Sequence, residues 1–326
     1  MAIRQYNPGY MPPATLALVA LNVAIAIADI ISGGVIEKLG WARGIDVQYG
    51  EYWRLFTCGW VHGSVMHIAF NAYGIYVLGS IVERLHGWKP TVIIYMVSLM
   101  GGSALAMAFM DPAIPLVGAS GAAYGLFGAV LGFFYVKTGS LKGLVQIPAA
   151  RMLLIWLAFG AYMSTRPGVS LLGHLGGFVP GVILGMFFEH KYKRELDLYN
   201  SLAAALVCVA IAGLTAFACA PFTRSTWYAT RALHAYEDGD LERGDELLQE
   251  ARGRNHTRAG EQNLLTHLTV WRRFHEELPK VYDMDALRLP LTHAAGITSS
   301  ISPGMPYNFL RDPDAPEPLE PVDTGD

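Results

Sequence analysis

The feature that most constrains this chain is a series of apolar runs long enough to cross a bilayer, all within the first 221 of its 326 residues. Hydrophobic residues make up 52% of the chain and charged residues only 16%, whereas roughly a quarter of an ordinary soluble protein is charged. A backbone in lipid must satisfy its own hydrogen bonds, so runs of this length indicate membrane helices. The sequence therefore predicts an all-α, polytopic membrane bundle.

Seven runs are predicted to be membrane helices. They are residues 14–32, 62–82, 91–110, 120–136, 152–162, 171–188 and 201–220. The first has no small-x-small cleavage signal at its end and many runs follow it, so it is interpreted as a membrane helix rather than a signal peptide. The fifth is short because Arg151 interrupts the apolar pattern. The long loop 33–61 contains Trp53 and Arg54, side chains that suit the membrane interface.

Basic residues are divided unequally between the two sets of loops. One set contains nine, which are Arg4, Arg84, Lys89, Lys137, Lys142, Arg151, Lys191, Lys193 and Arg194. The other contains four, which are Lys38, Arg43, Arg54 and Arg166. Cytoplasmic loops carry the excess of Lys and Arg, so the amino terminus is predicted to be cytoplasmic. With seven helices, the region after residue 221 is then extracytoplasmic.

The carboxy-terminal region differs in charge from the membrane part, since residues 222–326 hold 18 of the 27 acidic side chains. Five segments are predicted: a cytoplasmic segment 1–13, a six-helix core 14–190, a linker with the seventh helix 191–221, a helical appendage 222–311 and a disordered acidic tail 312–326. The pattern from Ala232 to Ala251 predicts two short helices joined at Asp238–Asp240. They form either a tetratricopeptide-like repeat or a small helical appendage. The chain has no basic patch that would indicate nucleic acid as a partner.

Three predicted helices carry polar side chains at the same end. These side chains are His62, His67 and Asn71 in the second helix, Ser120 in the fourth and His174 in the sixth. His67 and Asn71 are four residues apart and therefore share a helix face. Polar groups are costly in a bilayer and usually face a bundle interior or a wet cavity. Hydrogen bonding between helices would explain any one of them, but the set predicts one polar chamber open to the outside.

Small residues recur at every fourth position in the fourth and sixth predicted helices. They are Gly121, Gly125 and Ala129 in the fourth, and Gly173, Gly177, Gly181 and Gly185 in the sixth. Such stripes let two helix backbones approach closely. Close approach would bring Ser120 within reach of His174.

A serine beside a histidine suits nucleophilic catalysis, because the imidazole takes the hydroxyl proton and the oxygen attacks an acyl carbon. Preorganised donors would stabilise the oxyanion. The candidate donors are the His67 and Asn71 side chains and the backbone N–H groups of Ala119 and Ser120. The three helices have no interior Asp or Glu, so we infer a Ser–His dyad, with Tyr124 placed to pack on the His174 ring. A soluble hydrolase elbow is excluded, because it needs glycine where Ala122 stands.

At these motifs the chain resembles the rhomboid family of intramembrane serine proteases. The matching residues are Trp53–Arg54, His62, His67, Asn71, Gly118, Ala119, Ser120, Gly121, Tyr124 and Gly173–Gly177. They occur in the family's order over roughly residues 50–190, and the seventh helix resembles the family's six-plus-one variants. The proline that precedes the serine in inactive relatives is replaced here by Ala119. Ser120 and His174 are both present as well, so nothing in the motif argues for an inactive relative.

The resemblance implies Ser120 as nucleophile, His174 as general base, and an oxyanion hole formed by His67, Asn71 and backbone N–H groups. It further implies that His62 lines the water-access cavity. Gly177 would permit the contact between the fourth and sixth helices.

For the whole chain, the resemblance implies an endopeptidase of a bacterial or archaeal plasma membrane that cuts single-span membrane proteins near the outer surface. No metal or cofactor is expected, and membrane lipid surrounds the bundle. The fifth helix with the loop 162–170 would be the mobile gate. Two alternatives remain open: a rhomboid-like scaffold that binds membrane helices, with the appendage as a site for a protein partner, and a transporter. The transporter is weakened by the lack of a charged residue in the chamber and of an inverted repeat.

Overall fold

The computed structural model describes residues 10–164, 166, 168–193, 198–254 and 259–277. Within these ranges the chain forms fourteen helices and one isolated β-bridge. The helices are α1 Pro13–Ile31, α2 Val35–Gly40, α3 Gly44–Tyr49, α4 Arg54–Thr57, α5 Val65–His86, α6 Trp88–Phe109, α7 Ser120–Thr138, α8 Leu141–Gln146, α9 Pro148–Met163, α10 Leu171–Lys193, α11 Leu198–Cys219, α12 Ser225–Glu237, α13 Leu241–Gly253 and α14 Ala259–Glu277. The predicted all-α class is confirmed. The predicted tail 312–326 lies outside the described residues.

Five helices in the described part of the chain are long and apolar enough to cross a membrane, namely α1, α5, α6, α10 and α11. A multi-pass membrane protein is therefore confirmed. The other two predicted spans correspond to α9, which is apolar but has only 16 residues, and to α7, which has 19. Because α7 packs against α5, α6 and α10, much of its surface meets protein, and it can carry glycines where a lipid-facing helix carries large apolar side chains.

Several helix boundaries differ from the predicted ones by a few residues, and two of the differences change where a polar residue lies. The second membrane helix begins at Val65 rather than at His62, because the Ser64 side chain caps it by accepting a hydrogen bond from the backbone N–H of His67. His62 therefore precedes the helix. The fifth begins at Pro148, a residue suited to the first turn of a helix, and it includes the exposed Arg151.

The two predicted stripes of small residues are in contact, with α10 lying directly on the backbone of α7. A Cβ atom on Gly177 would overlap the carbonyl oxygen of Gly121, and one on Gly181 would overlap that of Gly125. No larger side chain fits between these backbones. The glycines therefore set the distance between α7 and α10.

The other face of α10 is packed just as closely against α6. A Cβ atom on Gly101 would overlap the carbonyl oxygen of Gly176, and one on Gly102 would lie 2.6 Å from that of Gly173. The sequence pattern did not predict this contact, because Gly101 and Gly102 are adjacent and form no stripe. Helix α10 is thus wedged between α6 and α7.

The carboxy-terminal ends of α5, α7 and α10 meet at a buried charge cluster. The Glu189 carboxylate of α10 lies 3.0 Å from Lys137 Nζ of α7 and 3.4 Å from His86 Nε2 of α5. The side chain of Glu189 is only 2% exposed. The amino-terminal ends of the same helices carry His67, Ser120 and His174. The three helices therefore run in the same direction, with their polar residues gathered at one end.

The loop between α1 and α5 folds into α2, α3 and α4, and Arg54 holds them together. Its guanidinium group donates to the carbonyl oxygens of Lys38 and Trp41, each at 2.9 Å, and pairs with Glu51. The side chain of Arg54 is largely buried, whereas the neighbouring Trp53 is exposed. The loop is therefore a packed structure that can support neighbouring segments.

The helices after the membrane bundle pack on this loop. The Tyr49 hydroxyl of α3 donates to Glu237 of α12 at 2.6 Å, and the His234 ring stacks on the Tyr49 ring with centroids 4.2 Å apart. Burial together with the Glu237 carboxylate raises the pKa of Tyr49, so its phenol remains a donor. Ile45 shares a hydrophobic cluster with α12, α13 and α14. These helices therefore lie on the same side of the bundle as the loop.

Candidate active site

Ser120 and His174 lie side by side at the amino-terminal ends of α7 and α10. The distance between Ser120 Oγ and His174 Nε2 is 3.0 Å. Ser120 is the first residue of α7, and His174 lies in the first turn of α10. The next turn of α10 contains Gly177, where the backbones of α7 and α10 are in contact. The close packing of small residues therefore brings the hydroxyl within hydrogen-bonding distance of the imidazole.

The Tyr124 side chain supports the histidine ring from one turn further along α7. The two rings are stacked, with centroids 4.1 Å apart and an angle of 10° between their planes. The Tyr124 hydroxyl occupies the space that a Cβ atom would take at Gly160 of α9. Tyr124 therefore lies against the His174 ring while its hydroxyl reaches α9.

Gly118 shapes the turn before the serine. Its φ of +107° favours glycine, and a Cβ atom there would lie 2.5 Å from the His67 ring and 3.3 Å from Asn71 Nδ2. No side chain could be accommodated without displacing the His67 ring. Gly118 thus lets the His67 and Asn71 side chains lie directly against the backbone that leads into Ser120.

The same turn is anchored to the outer loop by backbone hydrogen bonds. Ala42 and Leu116 exchange two, at 2.8 Å and 3.1 Å, and the N–H of Gly118 donates to the carbonyl oxygen of Cys58 at 2.8 Å. The segment that enters α7 is therefore fixed from both sides. This fixes the position of Ser120 without any contribution from its own side chain.

The predicted oxyanion donors differ in what they already bind. Asn71 Nδ2 is buried and has no hydrogen-bond partner among the residues that the structure describes. The Ala119 N–H donates to His62 Nε2 at 3.4 Å. His67 packs edge-on against the His62 ring, with centroids 5.1 Å apart. The amide of Asn71 is thus an available donor, whereas the Ala119 N–H would have to exchange its partner.

A further contact involves the second nitrogen of the histidine. His174 Nδ1 lies 2.6 Å from Oγ of Ser164, the cap residue that directly follows α9. Ser164 is not among the predicted site residues, because a serine at the end of an apolar helix is typical of an ordinary helix end. The sequence carries no signal that would single it out.

A cavity of about 1500 Å³ leads to the serine and the histidine from between α5 and α9. His67, Asn71, Ser120 and His174 line one end of it, and large apolar side chains such as Trp156 line the rest. His62 does not line this cavity; it is buried and packs edge-on against the His67 ring, so its role beside a path for water stays a prediction. His67 and Asn71 border the cavity in its place.

Sequence comparison decides the family. A model of the rhomboid domain matches residues 49–191. The Bacillus subtilis rhomboid protein YdcA is 30% identical over 152 residues, which are 46% of this chain and 74% of YdcA. This chain belongs to the rhomboid family.

The match covers a smaller share of two other rhomboid relatives than of YdcA. RHOMBOID-like protein 7 of Arabidopsis thaliana is 36% identical over 181 residues, covering 54% of this chain and 56% of the relative. Rhomboid protease GluP of Bacillus subtilis is 27% identical over 246 residues, covering 73% of this chain and 47% of GluP. The matched part of this chain spans about half the length of each. All the predicted site residues lie within the matched rhomboid domain, whereas α12, α13 and α14 lie outside it.

Proposed function

We propose that this rhomboid is an intramembrane serine endopeptidase in which Ser120 is the nucleophile and His174 is the general base. The observation that carries the proposal is the 3.0 Å separation of Ser120 Oγ and His174 Nε2. This distance permits direct proton transfer from the hydroxyl to the imidazole. The name of GluP as a rhomboid protease supports the same reaction class.

In the proposed reaction, Ser120 Oγ attacks the carbonyl carbon of a peptide bond while its proton passes to His174 Nε2. The resulting imidazolium then donates that proton to the leaving amine, and an acyl-enzyme remains. Water hydrolyses the acyl-enzyme with His174 again acting as base. The stacked ring of Tyr124 keeps the imidazole plane in place throughout these steps.

Asn71 and His67 are proposed to stabilise the oxyanion, together with the backbone N–H groups of Ala119 and Ser120. Asn71 supports this assignment most directly, since its amide is buried and lacks a partner in the described part of the chain. The amino-terminal end of α7 adds a favourable dipole for negative charge. Removing one such donor costs about 10²–10³ in kcat in other serine enzymes.

The proposed substrates are single-span membrane proteins that reach Ser120 through the cavity between α5 and α9. The apolar lining of that cavity suits a membrane segment. Helix α9 and the loop after it would act as the gate, because Ala150 is the only fully buried residue that α9 has. Membrane lipid would border the same opening.

We place the amino terminus in the cytoplasm, and the loop 33–61 with α12, α13 and α14 outside a plasma membrane. The contact between α3 and α12 supports a common side for the loop and these helices. The distribution of basic residues supports the direction. The same helices, α12 to α14, are proposed to bind a protein partner.

The proposal is tested by cleavage of a single-span substrate by the purified protein in liposomes. Ser120→Ala and His174→Ala are expected to lower the rate at least a thousandfold, as loss of a nucleophile or base does elsewhere. Ser80→Ala is the matched control, because the hydroxyl of this buried serine of α5 donates to the Tyr76 carbonyl oxygen of its own helix, away from Ser120 and His174. Cleavage by Ser120→Ala at the wild-type rate would overturn the mechanism. A wild-type protein that neither cuts nor reacts with a fluorophosphonate would favour a scaffold.

A further inference from the structure

Ser164 makes two short contacts that together define where protons lie around the histidine. Its Oγ is 2.7 Å from the carbonyl oxygen of Gly160 and 2.6 Å from His174 Nδ1. The residue is 4% exposed. The Tyr124 hydroxyl is a third hydrogen-bonding neighbour of Ser164, so the one proton of the Ser164 hydroxyl has three groups around it.

The contact with Gly160 decides the orientation. Two oxygens 2.7 Å apart need a proton between them, and a carbonyl has none to give. The Ser164 hydroxyl must therefore donate to Gly160 and can only accept from His174. Nδ1 of the imidazole then carries the proton, which leaves the lone pair of Nε2 facing the Ser120 hydroxyl. This is the tautomer that a general base for Ser120 requires.

We propose that Ser164 is a positioning residue that holds His174 in its base-competent tautomer and orientation, an inference that rests on the proposed function of the Ser120–His174 pair. It takes the place that a carboxylate occupies in a Ser–His–Asp triad, but as a neutral acceptor. When His174 receives the Ser120 proton, its Nδ1–H continues to donate to Ser164, so the imidazolium is not left unpaired. No proton moves to Ser164 at any step.

The location of Ser164 gives this contact a second consequence. Ser120 and His174 lie on α7 and α10, whose backbones touch at glycines, whereas Ser164 lies at the end of the loosely packed α9. The hydrogen bond between Ser164 and His174 Nδ1 therefore depends on α9 staying in its position.

The kinetic test compares Ser164→Ala and Ser164→Thr with wild type in liposomes. Loss of the hydroxyl is expected to lower kcat about tenfold, equivalent to about 1.4 kcal/mol, with KM changed less than about twofold because no substrate contact is removed. Threonine keeps the hydroxyl and is expected to restore kcat to within about threefold of wild type. Ser80→Ala is the matched control, since Ser80 makes the same bond to the carbonyl four residues earlier and has no hydrogen bond to a histidine in the part of the chain that the structure describes.

A second test reads the tautomer without turnover. The ¹⁵N signals of histidine-labelled protein distinguish protonation at Nδ1 from protonation at Nε2, and His174→Ala identifies the His174 signal among the ten histidines. Wild type and Ser164→Thr are expected to show Nδ1–H. Ser164→Ala is expected to show a mixture of both tautomers.

The outcomes separate the two proposals. Full kcat and an unchanged tautomer in Ser164→Ala, with Ser120→Ala inactive, would overturn the role of Ser164 and leave the protease standing. Loss of activity in Ser164→Ala with an unchanged tautomer and no rescue by threonine would show a structural effect and would also overturn it. Cleavage by Ser120→Ala would remove the proposed function itself.

Discussion

Helices α9 and α10 both contact α7 near Ser120, but they do so in opposite ways. Helix α10 meets α7 through glycines whose backbones touch. Helix α9 has one fully buried residue, Ala150, and meets the Tyr124 hydroxyl of α7 at Gly160, while its Ile155 and Trp156 are 62% and 59% exposed to the protein's surroundings. The same end of the bundle thus combines a contact that cannot open with one that can.

The difference lies in what each contact would lose on separation. Glycine backbones in contact have no side chains to rearrange, so any gap between α7 and α10 removes dispersion contacts outright. A helix with few buried residues opens at low cost, because little packing is given up. Ser120 and His174, the two residues proposed to react, therefore lie on α7 and α10, which are costly to separate. The opening to the membrane lies beside α9, which can move.

Among the changes that test this comparison, the largest effect is expected from adding one methyl group between α7 and α10. In Gly177→Ala the new Cβ would overlap the Gly121 carbonyl oxygen, a backbone atom that cannot rotate away. We expect a loss of about 3 kcal/mol or more in the free energy of unfolding. Cleavage is expected to fall more than about 100-fold, because a misplacement of about 1 Å has that cost. Thermal denaturation in detergent and a cleavage assay measure the two effects.

Gly213→Ala in α11 is the matched control, because a Cβ atom there meets no atom within 4 Å. It is expected to keep wild-type activity and to gain slightly in stability from the better helix propensity of alanine. Wild-type stability and activity in Gly177→Ala would show that α10 can move away from α7. The comparison between α9 and α10 would then fail.

Much of this arrangement could be predicted from the sequence, because lipid imposes strict rules. Apolar length predicted the membrane helices, and the cost of polar groups in lipid singled out Ser120 and His174. The four-residue spacing of small residues predicted which helices approach. These are properties that one helix reveals by itself.

What depends on a neighbouring element could not be predicted. The Ser64 cap could have been read from the sequence, because serine favours the position before a helix, but the buried contact of His62 with the His67 ring could not. Gly101 contacts α10 without belonging to any repeat. Ser164 meets His174 only because α9 ends beside α10. No single-helix pattern contains such information.

A smaller effect is expected when α9 is tied to α5 across the cavity. Cysteines in place of Val77 and Trp156, which both line it, would be joined by a bifunctional maleimide. The background would lack the three native cysteines, Cys58, Cys208 and Cys219. Cleavage of a membrane substrate is expected to fall about tenfold, because entry needs α9 to move.

The control for this tether is a reagent that needs no opening. Reaction of Ser120 with a small fluorophosphonate is expected to change less than about threefold in the tethered protein. Each single-cysteine variant treated with the reagent should behave as wild type. Undiminished cleavage of the membrane substrate after complete cross-linking would show that α9 is not the gate.

The smallest effect is expected when a glycine of α9 is replaced by alanine. In Gly160→Ala the new Cβ would overlap the Tyr124 hydroxyl, a clash comparable to that in Gly177→Ala. Here the neighbour is the end of a side chain and the helix itself can shift. The gain in helix propensity, about 1 kcal/mol, offsets much of the strain. We expect the free energy of unfolding to change by less than about 1 kcal/mol.

Cleavage by Gly160→Ala is expected to fall a few-fold, because a shift of α9 lengthens the contact between Ser164 and His174 while leaving Ser120 in place. The effect should appear in kcat rather than KM. The two glycine-to-alanine changes would then differ by more than about 2 kcal/mol in stability, because the neighbour in α9 is the end of a side chain on a helix that can shift, whereas the neighbour of Gly177 is backbone. A loss of stability in Gly160→Ala equal to that in Gly177→Ala would mean that α9 is held as firmly as α10, and that the opening to the membrane lies elsewhere.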